Sequence, residues 1–133
     1  MLDIDKKYEK GLEYTQIKDL SYKKHTKAIF NTTYLNSTNA NIWENKFYNF
    51  LLGIYIVDND EFINNKEYRI SLNNSNISKY TEVMKTEELY KNIPARNPYA
   101  KYYIISFDKN NTKAASLKLL IEHSKFGKVN VSF

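Results

Sequence analysis

The sequence predicts a mainly β fold, a two-layer antiparallel β-sandwich with one helical insertion near 78–92. Three observations carry that expectation. Apolar and polar residues alternate through several short segments, the period-two signature of strands with one buried face. Twelve Tyr and seven Phe stand against three Gly and two Pro, and aromatic residues favour a half-buried pleat. Asn-rich stretches separate the apolar segments, and Asn is a turn former. The abundance of Asn and Lys is equally what an AT-rich coding sequence would produce. At 133 residues, the chain is of single-domain size and can bury roughly two-thirds of its extended surface around one core.

Residues 1–24 read as a polar N-terminal leader, with Ile4, Tyr8 and Leu12 at helical spacing and a first strand near 13–20. Residues 25–133 read as a single β-rich domain. Its first clear strand runs from His25 to Leu35, with Ala28, Phe30, Thr32 and Tyr34 on one face. The polar stretch from Asn36 to Asn45 interrupts it and carries Trp43. Residues 47–57 are the most apolar of the chain and end at Asp58-Asn59-Asp60, which suggests a central strand buried on both faces. Tyr68, Ile70 and Leu72 alternate with Arg69, Ser71 and Asn73, and Asn73-Asn74-Ser75-Asn76 turns the chain.

The helical insertion rests on Ser78 as N-cap and on Tyr80, Val83, Met84, Glu87, Tyr90 and Ile93 at three- and four-residue steps. Pro94 ends it, and Pro94 to Pro98 form a short stiff loop. The last third alternates again. Tyr103, Ile105 and Phe107 share one side, as do Leu117, Leu119 and Ile121, then Val129, Val131 and Phe133. Short connections suggest that these strands form an antiparallel meander. The set suits a sandwich of immunoglobulin-like or transthyretin-like shape, with a single helix-covered sheet as the competing arrangement.

Several chemistries are set aside by composition. The chain has no Cys, which rules out disulfides, thiolate catalysis and Cys-ligated metals. No apolar run approaches the ~20 residues of a membrane-spanning helix. Met1-Leu2-Asp3-Ile4-Asp5-Lys6-Lys7 lacks the apolar core of a signal peptide, and reads either as a cytosolic start or as a Met placed before a mature secreted domain. Gly11, Gly53 and Gly127 are isolated, so no phosphate-cradling loop is present. His25 and His123 are the only histidines, too few for a zinc site that ordinarily takes three protein ligands, and surface positions at strand ends are expected for both. No serine sits in a nucleophile-elbow pattern. Asp58-Asn59-Asp60-Glu61 could hold calcium loosely but lacks the spacing of an EF-hand, so a solvated turn is expected.

The formal charge of +5 comes almost wholly from Lys, with Arg only at 69 and 96. Scattered lysines suit a solubilising surface with a weak attraction to anionic membranes. They do not resemble a nucleic-acid reader built on Arg, and the Lys-Tyr-Tyr and Phe-Gly-Lys triplets at 101–103 and 126–128 echo a stacking surface only faintly. No enzyme and no cofactor is expected. The chain reads as a non-enzymatic interaction or structural module that binds another protein, as the soluble part of a bacterial cell-envelope protein or lipoprotein, periplasmic or outer-membrane-anchored rather than cytoplasmic. A sandwich domain binding a small anionic or sugar-like ligand is the alternative. Trp43, Tyr48, Arg96 and Tyr99 are the candidate partner-binding residues, because Trp, Tyr and Arg are the common hot-spot types and a stiff loop loses little entropy on binding.

Overall fold

Residues 13–37, 46–57, 67–111 and 116–133 are described by a computed structural model of the chain. Among these described residues nine strands arise in order: β1 (Thr15–Tyr22), β2 (His25–Tyr34), β3 (Phe47–Ile56), β4 (Tyr68–Leu72), β5 (Ser75–Asn76), β6 (Lys79–Val83), β7 (Lys101–Asp108), β8 (Lys118–His123) and β9 (Gly127–Ser132). They make two sheets, ordered β1-β2-β3-β7-β6 and β5-β4-β8-β9. Every pairing is antiparallel.

The alternating residues explain how the sheets meet. Ala28 and Phe30 of β2, Phe50, Leu52 and Ile54 of β3, and Tyr103, Ile105 and Phe107 of β7 face Ile70 and Leu72 of β4, Leu119 and Ile121 of β8, and Val131 of β9 in one apolar cluster. Because side chains alternate across a strand, this accounts for only half of each central strand. The strand β3 lies in the middle of its sheet and is buried on both faces over Asn49–Ile54. At the sheet edge, β1 pairs along its length with β2 and its Gln16 Nε2 donates to the Ser132 carbonyl of β9.

Two expectations are corrected. The helical insertion near 78–92 is absent: residues 79–83 are an edge strand paired with β7, and only one helical turn, α1 (Glu88–Lys91), follows. Ser78 caps no helix. Its N–H donates to Ser106 O at 2.8 Å and its Oγ accepts the Asp108 N–H at 3.0 Å, which ties it to β7. The helical spacing misled because Tyr80 and Met84 are more than half exposed, while Val83, Tyr90 and Ile93 are buried from separate elements. Pairing with β7 therefore outweighed local periodicity. Nor do β7 and β8 continue one meander. They lie in different sheets, and β8 pairs with β4 and β9.

Candidate functional site

The second face of β3 and β7 supplies a separate apolar patch that the chain must cover. Leu51 of β3, Tyr102 of β7 and Val83 of β6 join Leu35, Tyr90, Ile93 and Ala100 in a second buried cluster. The segment 84–100 is thus draped over the outer face of the larger sheet, with Tyr90 on α1 and Ile93 beyond it as its anchors.

What holds this segment is one row across the sheet, Asn31 opposite Gly53 and Gly53 opposite Tyr102. Gly53 has no Cβ, and one placed there would stand 2.2 Å from Tyr102 Cε1. The Tyr102 ring therefore lies directly over the Gly53 backbone. Its hydroxyl accepts the Asn97 N–H at 2.8 Å. Burial pushes the Tyr102 hydroxyl above its ordinary 10.0, with the Asn97 N–H opposing that shift. On the other side of Gly53, Asn31 Nδ2 donates to the carbonyls of Pro94 at 3.3 Å and Ala95 at 3.0 Å. These bonds hold the loop although Ala95 has φ of 50°, a left-handed conformation that L-residues adopt at a cost.

Above these supports, Arg96 Nη1 donates to Tyr90 O at 3.0 Å, and its guanidinium lies 4.8 Å over the Tyr90 ring. Asn97 Oδ1 accepts the Tyr99 N–H at 2.9 Å. The Tyr99 side chain is left 82% exposed at the crest. A groove of about 290 Å³ in this segment is lined by Val83, Tyr90, Ala100 and Tyr102 together with Glu82, Lys85 and Lys101. Met84, 56% exposed, lines it too.

Of the four residues selected from sequence, Arg96 and Tyr99 come together on this loop. Tyr48 does not join them. It is half-buried on β3, opposite Phe107, with Lys109 Nζ 5.0 Å from its ring centre. That position is roughly 17 Å along β3 from Gly53 at the usual strand rise. Trp43 and the acidic run Asp58 to Glu61 lie outside the described residues. Sequence reasoning missed the supports Asn31, Gly53 and Tyr102. Their signal was a polar Asn within an apolar strand and a Gly within the most apolar one, which marks close approach by another group.

His123 is a further correction, since it is buried at 7% exposure whereas His25 is exposed. Its Nδ1 accepts the N–H groups of Lys125 at 3.0 Å and Phe126 at 3.1 Å. Its Nε2 lies 3.3 Å from Glu67 Oε2, so the ring carries its proton there. With both nitrogens engaged, His123 organises the β8–β9 turn. Among the described residues no group of three His, Asp or Glu is placed to hold a metal ion, and no helix is long and apolar enough to cross a membrane. No protein-family model matches the chain, and neither a curated protein nor a solved structure does so.

Proposed function

We propose that the protein is a non-enzymatic binding domain that engages another protein through the crest of the 84–100 segment. The observation that carries this reading is the contrast between Tyr99, almost fully in solvent, and the backbone beneath it, pinned by Asn31 and Tyr102. A rigid loop that presents an aromatic and an arginine loses little conformational freedom on binding, and these residue types dominate interface energetics. The groove in this segment supports the same reading. At about 290 Å³ it falls at the small end of the ~300–1,000 Å³ typical of pockets that enclose a whole ligand. It fits a partner's side chain better than an entire anionic or sugar-like molecule.

The strand order supports an immunoglobulin-like arrangement. The support is the order of neighbours in the two sheets, which can be matched by taking β2, β3, β7 and β6 as A, B, E and D, and β5, β4, β8 and β9 as C′, C, F and G. The strand β1 is then an addition beside A. Apolar Phe50, Leu52, Leu119 and Ile121 fill the space between the sheets, where antibody domains carry a disulfide. A shared fold leaves function open, so the reading stands on the loop.

The test is a comparison of wild type with Arg96→Ala and Tyr99→Ala, each verified as folded by near-ultraviolet circular dichroism. A protein captured by the immobilised wild type is purified and its affinity measured. Binding at least about tenfold weaker for both variants is expected for hot-spot residues. Unchanged affinity in both would reject the loop as the interface.

A further inference from the structure

We propose that the end of the molecule formed by the β1–β2 and β8–β9 turns is an electrostatic docking surface for anionic lipid headgroups, carried by Lys23, Lys24, Lys27, Lys125 and Lys128. The first observation is conformational. Lys23 and Lys24 form the tip of the β1–β2 hairpin with φ of 52° and 67°. Two successive left-handed residues are the pattern of a type I′ turn, for which Asn and Gly are suited and lysine is not. The β4–β5 turn has the same pattern at Asn73 and Asn74, with φ of 46° and 71°, and uses the favoured residue type. Lysines at positions the backbone disfavours point to a role for their charge.

The second observation is that the two turns form one unit. The Tyr22 and Phe126 rings are 5.3 Å apart, and Phe126 stacks on His123 at 4.1 Å. The Lys125 and Phe126 backbone is fixed by its bonds to His123 Nδ1. Lys23 Nζ stands 5.4 Å from the Tyr22 ring centre, and Lys27 Nζ 5.1 Å from that of Phe126. Among the described residues, Lys23, Lys24, Lys27 and Lys125 have no carboxylate within ion-pair distance. Glu67 is at His123, and Glu122 lies across the strands from Lys128 and Arg69. Among the described residues, these five lysines on the two turns and the strands beside them outnumber the neighbouring carboxylates Glu67 and Glu122 and give a positive field at this end of the domain.

The chemistry of these side chains favours a lipid surface over nucleic acid. Lysine acts as a point charge, whereas phosphate and base readout commonly uses the bidentate fork of Arg. Stacking on a nucleobase needs a free aromatic face, yet Phe126 is stacked against His123 and has Lys27 over its ring. Val57, 44% exposed, donates its N–H to Lys27 O. It places an exposed apolar group beside Lys27, as suits the boundary between headgroups and acyl chains. The surface does not involve Tyr99, so it stands apart from the partner reading.

The experiment is sedimentation of the full chain with vesicles of phosphatidylcholine alone and of equal parts phosphatidylcholine and phosphatidylglycerol, at low and at near-physiological salt. Binding to the anionic vesicles only, weakening as salt rises, is expected. The variant Lys23→Asn, Lys24→Gly, Lys125→Gln removes three charges while giving the hairpin its preferred turn. It should melt at a higher temperature than wild type and bind roughly a hundredfold more weakly, from the usual contribution per basic residue at such a surface. A control, Lys46→Gln, Lys109→Gln, Lys118→Gln, removes as many charges from the other end and should keep most of the binding. Equal loss in the two variants, binding to neutral vesicles as strong as to anionic ones, or no binding at low salt would overturn the proposal. So would a single-stranded oligonucleotide that binds this end more tightly than the vesicles do, which would assign it to nucleic acid.

Discussion

Gly53→Ala tests whether the ring of Tyr102 and the missing Cβ of Gly53 form the keystone of the 84–100 face. The added Cβ would lie 2.2, 2.7 and 2.8 Å from Cε1, Cζ and Cδ1 of Tyr102, so the ring has to move. It has little room, being 1% exposed and set edge-on to Tyr90 at a centroid distance of 5.9 Å. Moving it also breaks the bond from the Asn97 N–H. Overpacking of a filled core costs about 1–3 kcal/mol, and the lost hydrogen bond costs about 1 kcal/mol more. Replacing Gly by Ala within a strand returns about 0.5–1 kcal/mol. A net destabilisation of about 1–3.5 kcal/mol is therefore expected, a substantial share of the stability of a typical domain. The assay is equilibrium urea unfolding, repeated in a Tyr102→Ala background. With no ring to collide with, Gly53→Ala should there be neutral or slightly stabilising. A cost under about 0.5 kcal/mol in the wild-type background, or the same cost in both backgrounds, would refute the reasoning.

Two further outcomes follow from the same geometry. Burial holds the hydroxyls of Tyr34, Tyr68, Tyr102 and Tyr103 above the ordinary 10.0, so the folded chain keeps protons that the unfolded chain releases. Their contribution is present in full below about pH 10 and is lost as pH rises through the raised values; urea midpoints should fall there, and Tyr102→Phe should make the fall shallower. Asn31→Ala removes the bonds to the Pro94 and Ala95 carbonyls, but Asn31 Oδ1 is buried without a partner, so losing it returns part of the cost. The expected destabilisation is about 1 kcal/mol, and hydrogen exchange should speed up at the Asn97 and Tyr99 amides while those of β4 and β8 stay protected.

Much of the strand content could be read from the chain alone. Ala28 and Phe30, Ile70 and Leu72, Tyr103 to Phe107, and Leu119 and Ile121 all alternate, and all meet in the shared cluster between the sheets. Alternation is local, because the face on which a side chain falls is set by the residue before it. The continuous apolar run of β3 likewise marked a strand covered on both sides. Arg96 and Tyr99 could be named because a loop between two prolines is a local property.

What tertiary structure alone decided is which distant segments meet. The pairing of β6 with β7 made a strand of Tyr80 to Val83, where helical spacing pointed elsewhere. The division of β7 and β8 between two sheets depends on their partners β3 and β4, not on the short chain between them. Asn31, Gly53 and Tyr102 become a support only when three strands lie in register. His123 is buried only because the turn that follows it folds back onto its ring. Periodicity specifies a side chain's face, whereas its neighbour across the sheet is set by contacts far apart in sequence, and it is those contacts that build the loop carrying Tyr99.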